Sequence, residues 1–346
     1  MIEVGGRRIG AGEPCFVIAE AGSNHNGSLE KARELVETAA SAGADAVKFQ
    51  VFRAERLYPK SAGLSGYLKL SKPIYDIIAE MEMPLGWLPV LSDLCRERRI
   101  QFLASAFDEE SADRLDPYTH AFKVASYEMT HIPLIRHLAR KGKPLIISTG
   151  TACLDEVAET VEEVRAAGRA PLALMQCTGA YPAPLESLNV RAIPTMKSAF
   201  GVPVGLSDHS RDPLVGPLAA VAVGGSLLEK HFTLSNDLPG PDHRFAVEPG
   251  ELRLMVRKVR ETERALGSGE KVVDPAEEEL RSFARRSVFS LRAIAAGELL
   301  SLGNIAVLRC GNLPAGVEPR RLGEILGKRA SRAIPAEQAL REGDYV

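Results

Sequence analysis

The chain of 346 residues is long enough for one large domain plus a small one, and its 45% hydrophobic content can bury a sizeable core. A formal net charge of -2 and a pI near 6.4 argue against a nucleic-acid or membrane-surface partner. Five cysteines (Cys15, Cys95, Cys153, Cys177, Cys310) show no metal-type pairing, no basic-then-apolar leader opens the chain, and no apolar stretch reaches the roughly 20 residues that span a bilayer, so a reduced cytoplasmic protein is expected.

Runs rich in Val, Ile, Leu and Phe recur at 16–21, 46–52, 101–107, 121–126, 144–149, 172–178, 202–207 and 226–232. Stretches with a 3.6-residue apolar period separate them, for example at 29–42, 85–98, 154–167 and 213–223. Continuous apolar strands alternating with helices predict a parallel sheet covered on both faces, and eight of them in about 235 residues match a (β/α)8 barrel, the TIM barrel of the α/β class. A doubly wound open sheet is the rival. It is disfavoured because no Gly-x-Gly-x-x-Gly turn opens the first helix.

Chemically capable side chains fall at the strand ends, where a barrel enzyme builds its site. They are Glu20 and Asn24 at the first strand, Lys48 and Gln50 at the second, Ser105 at the third, and Lys123, Ser126 and Glu128 at the fourth. Ser148, Tyr181, Ser207 with His209, and Glu229 with His231 follow at the remaining four. The pattern of Ser207-Asp208-His209 and Glu229-Lys230-His231, with acidic residues one or two positions before each histidine, suits a divalent metal held open for substrate. A pair of hydrogen-bonded core histidines is the plainer alternative.

Lys48 and Lys123 interrupt strands that otherwise look buried, and a lysine is almost never fully buried without a partner. With Ser105, Ser126, Ser148 and Ser207 they could form a phosphate or carboxylate pocket. A structural ion pair with Glu20 or Glu128, or a Schiff base, remains open at this point. Glu20 is itself a charge in a strand buried on both sides, costly unless it works or is paired. Asp242, in Pro239-Gly240-Pro241-Asp242-His243, serves equally as a turn former, and Asn26 or Ser28 as a helix cap.

A break near 267–284 divides the chain into a catalytic barrel at 1–267, a polar linker at 268–284 and a segment of short strands and turns at 285–346. From residue 285 onward ten Lys and Arg stand against six Asp and Glu, a charge of +4, which leaves -6 on the first 284 residues. Such asymmetry suggests a basic lid facing an anionic site. An accessory packing domain without ligand contact is the alternative.

Ile18-Ala19-Glu20-Ala21-Gly22-Ser23-Asn24-His25-Asn26-Gly27, Gly205-Leu206-Ser207-Asp208-His209-Ser210, Leu228-Glu229-Lys230-His231-Phe232 and Pro239-Gly240-Pro241-Asp242 together resemble signatures of the sialic acid synthase (N-acetylneuraminate synthase) family. The tail, with Gly297-Glu298-Leu299-Leu300, Asn304-Ile305, Arg309 and Leu326-Gly327-Lys328, is similar to that family's antifreeze-like (SAF) domain. The resemblance implies condensation of phosphoenolpyruvate with an N-acylated hexosamine and water, giving a nine-carbon nonulosonic acid and phosphate. Lys48, Ser105, Lys123, Ser126, Ser148 and Ser207 would hold phosphoenolpyruvate, and His209 with His231 would hold Mn2+, or Mg2+ or Co2+ in its place. Glu20, Gln50, Tyr181, Glu229 and Asp242 would face the sugar. In a domain-swapped homodimer, Arg309 would reach the acyl group of sugar bound to the other subunit. With Glu20, Lys48, Lys123, Glu229 and Asp242 as the catalytic set, the implied chemistry is attack of the enol carbon on the sugar aldehyde, addition of water and loss of phosphate.

Three departures accompany the resemblance. Gly179 stands where many relatives place an asparagine, Cys310 where proline often follows the tail arginine, and Ser126-Tyr127-Glu128 resembles the pseudaminic acid branch. The alternative function is a noncatalytic or altered-substrate polysaccharide assembly protein of spore-coat type. Retention of Glu20, Lys48, Lys123, His209 and His231 speaks against a pure binder.

Overall fold

The structure, a computed structural model, describes residues 1–64, 72–168 and 170–346, and divides into two compact units, Met1–Gly267 and Ser268–Val346. The first opens with an antiparallel hairpin, β1 (Ile2–Val4) and β2 (Arg7–Ile9), followed by eight parallel strands. These are β3 (Phe16–Gly22), β4 (Ala46–Val51), β5 (Gln101–Ala106), β6 (Phe122–Val124), β7 (Leu145–Ser148), β8 (Leu172–Cys177), β9 (Val204–Asp208) and β10 (Leu227–His231). They close in sequence order, with β10 pairing β3. The predicted (β/α)8 barrel is the observed one.

The strands read as unbroken apolar runs because both faces are buried. On β3, Val17, Ala19 and Ala21 pack outward with the helices, whereas Phe16 and Ile18 point into the barrel. The inner cluster also takes in Ala46, Leu103, Ala121, Ile146, Ala173, Met175 and Leu227, and Ile2, Val4 and Ile9 of the hairpin close it at the N-terminal end of the strands. The hairpin's one signal, the two-residue Gly5-Gly6 turn with both glycines at positive φ, stands between strands of three residues, too short to show a period.

The outer helices form by ordinary local rules. In Leu29–Ala42 the Ser28 side chain accepts from the Lys31 N–H, Ala32, Leu35, Val36 and Ala39 make one buried stripe, and Gly43 ends the helix at φ +82°. The helix expected over 213–223 is confined to Val215–Ala222. The fourth strand, expected over 121–126, ends at Val124, and a 3-10 turn, Ser126–Glu128, takes the chain out of the barrel. Among the described residues no helix is long and apolar enough to cross a membrane.

In the second unit, β11 (Arg286–Ser290) pairs antiparallel with β12 (Ile305–Arg309) over a small core of Val288, Ile294, Leu300, Ile305, Ile325, Ile334 and Leu340. The segment read as a polar linker carries a helix, Glu278–Ala284, preceded by a 3-10 turn whose Asp274 side chain accepts the Ala276 N–H at 2.8 Å. Its side chains are almost all exposed, so no apolar stripe announced it.

Candidate active site

The two-residue strand period turns the apolar interior into a polar mouth. Continuing the inward rows, Ile18 is followed by Glu20 on β3, Ala46 by Lys48 on β4, and Leu103 by Ser105 on β5. Likewise Ala121 precedes Lys123, Ile146 precedes Ser148, and Leu227 precedes Glu229 and then His231. The register sets Glu20 beside both Lys48 and His231, Ser105 beside Lys123, and Glu229 beside Ser207.

These side chains form one connected cluster. Lys48 Nζ lies 2.9 Å from Glu20 Oε2 and 3.7 Å from Glu229 Oε1, and donates to Ser105 Oγ at 3.1 Å. Lys123 Nζ donates to Ser148 Oγ at 2.7 Å and to the Val124 carbonyl at 3.1 Å, with Glu229 Oε1 at 3.7 Å. Ser207 donates to Glu229 at 3.2 Å, and Gln50 to Glu20 at 2.8 Å. A Cβ on Gly22, whose φ is +51°, would stand 3.3 Å from Asp242 Oδ2, 3.4 Å from Glu20 Oε1 and 3.5 Å from Gln50 Nε2, so those three groups converge on one point. Lys48 thus carries an ion pair with Glu20, a contact that leaves it able to meet an anion as well. Glu128 pairs with neither lysine among the described contacts.

Burial sorts the protonation states. It pushes the Glu20 carboxyl up against the pull of Lys48, and raises Asp242 from 3.8 to about 6, helped by the nearby Glu20 charge. The Asp242 side chain is 20% exposed, so solvent screens part of that shift. Glu229 is held low: burial alone would raise it, but it lies between Lys123 and Lys48. Burial would depress Lys48, yet Glu20 and Glu229 hold its ammonium above the usual range. Lys123, with one carboxylate and neutral partners, is drawn down by burial. Glu128, its Oε2 buried without a partner, is pushed by burial up to about 7.

The two histidines meet beside this cluster, His231 next to Glu20 in register. Their ring centroids are 5.3 Å apart at 75°, Tyr181 stacks on His209 at 4.2 Å, and Phe245 lies 5.1 Å from His231. His209 Nδ1 is 2.8 Å from the Thr178 carbonyl, which makes it the N–H donor, so in the neutral ring the lone pair is on Nε2. Burial first, then the His209, Lys48, Lys230 and Lys123 charges, keep His231 neutral, and its Nδ1 is buried without a hydrogen-bond partner. Asp242 Oδ2 is 3.9 Å away from that atom. Among the described residues no group of three or more His, Cys, Asp or Glu could hold a metal ion. Burial would lower His209, but Cys177 and the Thr178 carbonyl hold its imidazolium above the usual range, so the pair fits a divalent cation once His209 gives up that proton, with the other positions left to water and substrate oxygens.

Some residues stand apart from their expected places. Ser126, beyond its strand, accepts the Gly150 N–H at 3.0 Å instead of meeting a lysine. Asp208, expected to support the histidine pair, points away from the mouth and binds Lys230 at 2.7 Å. Arg309 belongs to the second unit, exposed at the end of β12. Sequence reasoning missed Cys177, which reads as one more apolar strand residue yet lies 3.8 Å from both His209 nitrogens. At Gly179 a Cβ would come within 2.8 Å of Thr151 Cγ2, so an asparagine there requires the Thr151 side chain or the loop to give way.

The NeuB family model matches residues 35–271, and the SAF domain model matches 285–346. The spore coat polysaccharide biosynthesis protein SpsE of Bacillus subtilis is 43% identical, covering 98% of this chain and 95% of that protein. The N,N'-diacetyllegionaminic acid synthase of Legionella pneumophila is 38% identical, covering 96% and 94%. The crystal structure of N-acetylneuraminic acid (sialic acid) synthetase from Leptospira borgpetersenii, in complex with citrate, superposes with a TM-score of 0.74 at 31% identity, covering 81% of this chain and 94% of that one. With its barrel matched by the family model, its tail by the SAF model and its relatives aligned along nearly its full length, the chain belongs to the NeuB family of sialic acid synthases and is a synthase enzyme of that type.

Proposed function

We propose that the protein condenses phosphoenolpyruvate with an N-acylated hexosamine, N-acetylmannosamine or a diacetamido-trideoxyhexose, and water, to give a nonulosonic acid and phosphate. The observation that carries this reading is the pair of buried ammonium groups, Lys48 and Lys123, each with a serine hydroxyl partner and together meeting two carboxylates, Glu20 and Glu229, in one barrel mouth. Such a site suits a small, highly charged anion that reacts with a polyol, because the lysines and Ser105, Ser148 and Ser207 can take up phosphate and carboxylate oxygens. Ser126 and the Gly150 N–H it engages lie on the same rim.

His209 and His231 would hold a divalent cation, Mn2+ foremost, which would supply Lewis-acid polarisation of the acceptor's aldehyde. The enol carbon then attacks that carbon, and Lys48 and Lys123 stabilise the charge on the phosphate throughout. Glu20, pushed upward in pKa and hydrogen-bonded by Gln50, positions or deprotonates the water that adds at C2, the phosphate-bearing carbon left cationic by that attack, while the new sugar alkoxide takes up a proton. The adduct loses phosphate by C–O cleavage, with Lys48 and Lys123 offsetting the charge of the leaving group. Asp242, Glu229 and Tyr181 meet sugar hydroxyls. A homodimer in which Arg309 reaches the acyl group of sugar on the other subunit completes the reading.

With Gly179 where many relatives have asparagine, one contact to phosphoenolpyruvate is lost, and a second version of the reading takes an altered acceptor. The B. subtilis relative is named for spore coat polysaccharide biosynthesis, and a sugar destined for such a polymer would be one such acceptor. The test is a phosphate-release assay with phosphoenolpyruvate, Mn2+ and a panel of manno-configured and altro-configured acetamido sugars, with mass analysis of products. Release with one acceptor, together with a product of the summed mass, is expected. A folded protein that is silent with every acceptor contradicts the proposal.

A further inference from the structure

On the outer side of the two strands that carry the histidines lies a buried ion pair with no part in the chemistry above. β9 and β10 run with Ser207 beside Glu229 and Asp208 beside Lys230. Ser207 and Glu229 face the mouth, so the strand period sends Asp208 and Lys230 to the opposite face. Each is 1% exposed. Lys230 Nζ lies 2.7 Å from Asp208 Oδ2 and donates to Asp212 O at 2.9 Å, to Ser210 Oγ at 3.2 Å and to the Ser210 carbonyl. Asp208 Oδ1 accepts the Ser210 N–H at 2.8 Å. Helix Val215–Ala222 covers the pair so closely that a Cβ on Gly216 would stand 2.7 Å from Asp208 Oδ2.

Charges buried this deeply are costly, and a well-packed apolar pair would serve stability as well or better. The partners indicate another purpose. Every acceptor of Lys230 lies on Asp208, Ser210 or Asp212, the turn in which His209 stands, and Lys230 itself immediately precedes His231. The ammonium thus ties the Asp208 side chain before His209 and the backbone carbonyls of Ser210 and Asp212 after it to the strand that ends in His231. We propose that Lys230 and Asp208 are positioning residues that lock the His209 turn against β10 and so fix the spacing and aim of the two imidazoles. Its functional consequence rests on reading those imidazoles as a metal pair.

The test uses the full chain as Lys230→Met and as the double variant Asp208→Leu/Lys230→Met, in which no buried charge is left unpaired. Mn2+ affinity, read from the paramagnetic resonance signal of free Mn2+, is expected to fall by about 10- to 100-fold in both variants, with the double variant melting close to wild type. Nitrogen NMR of the histidine rings in metal-free protein is expected to report the Nδ1–H form of His209, bonded to Thr178, in wild type and an averaged tautomer in the variants. If wild type binds Mn2+ and either readout stays at its wild-type level in the double variant, the lock is overturned. Should wild type take up no Mn2+ while the His209 signal still averages in the variants, the metal reading falls and the lock stands. No Mn2+ uptake with an unchanged His209 signal removes both.

Discussion

At the N-terminal end of the barrel, Phe16, Ile18, Leu103, Ile146, Met175 and Leu227 fill the interior, and Ile2, Val4 and Ile9 of the hairpin close it. Two residues further along the same strands stand Glu20, Lys48, Ser105, Lys123, Ser148 and Glu229. Burying an apolar side chain at the first end contributes about 1.5–3 kcal/mol. Burying an ammonium or carboxylate at the second costs several kcal/mol before pairing, and pairing returns that only where geometry is good. One set of strands thus sets stabilising apolar burial at one end and the charged candidate site at the other, where the charges are tolerated because they pair with one another.

Substitutions at the two ends should therefore fail in different ways. Lys48→Met carries the largest expected effect, a fall in kcat/KM for phosphoenolpyruvate of about 10³-fold, read by phosphate release. A loss below tenfold would remove Lys48 from the charge-bearing set. At the apolar end, Leu103→Ala should cost about 2–5 kcal/mol of stability by leaving a cavity, while kcat measured well below the melting temperature stays within about twofold of wild type. A large kcat loss without destabilisation would show that the two ends are not separable.

Asp242→Asn sharpens the comparison through pH. With its carboxyl raised to about 6 by burial, wild type should lose activity as pH falls through that value, and the variant should lose that limb along with about 10- to 100-fold in kcat/KM. The stability sign follows from linkage. A folded pKa above the unfolded one stabilises fully below about pH 4, and that stability is lost as pH rises through about 6, so the variant should gain on wild type across this window in thermal melts. A melting difference that does not change with pH contradicts the raised carboxyl. The smallest effect is expected for Arg309→Ala: KM for the sugar rises about tenfold while KM for phosphoenolpyruvate is unchanged. Equal changes in both would place Arg309 elsewhere.

The barrel was legible in the sequence because strands buried on both faces write themselves as uninterrupted apolar runs, and its site because Glu20, Lys48 and Lys123 interrupt those runs with charge. Ser126 was misplaced by two residues of strand length, since the turn after Val124 has no glycine or proline to mark it. Strand parity was the unused signal at Asp208 and Lys230. Each sits one position off the inward row, so proximity in sequence to a histidine meant the opposite face in space. Cys177 stayed hidden because cysteine counts as apolar until a neighbouring imidazole gives it polar company.

The central claim, that this mouth adds water to a condensed enol phosphate and expels phosphate through Lys48 and Lys123, is tested most directly with phosphoenolpyruvate carrying 18O in its bridging C–O–P position. Run with Mn2+ and the accepted sugar, the reaction should deliver the label into inorganic phosphate, and solvent oxygen should appear at C2 of the keto acid. Label retained in the keto acid would mean P–O cleavage, and would contradict the roles assigned to Glu20 and to both lysines.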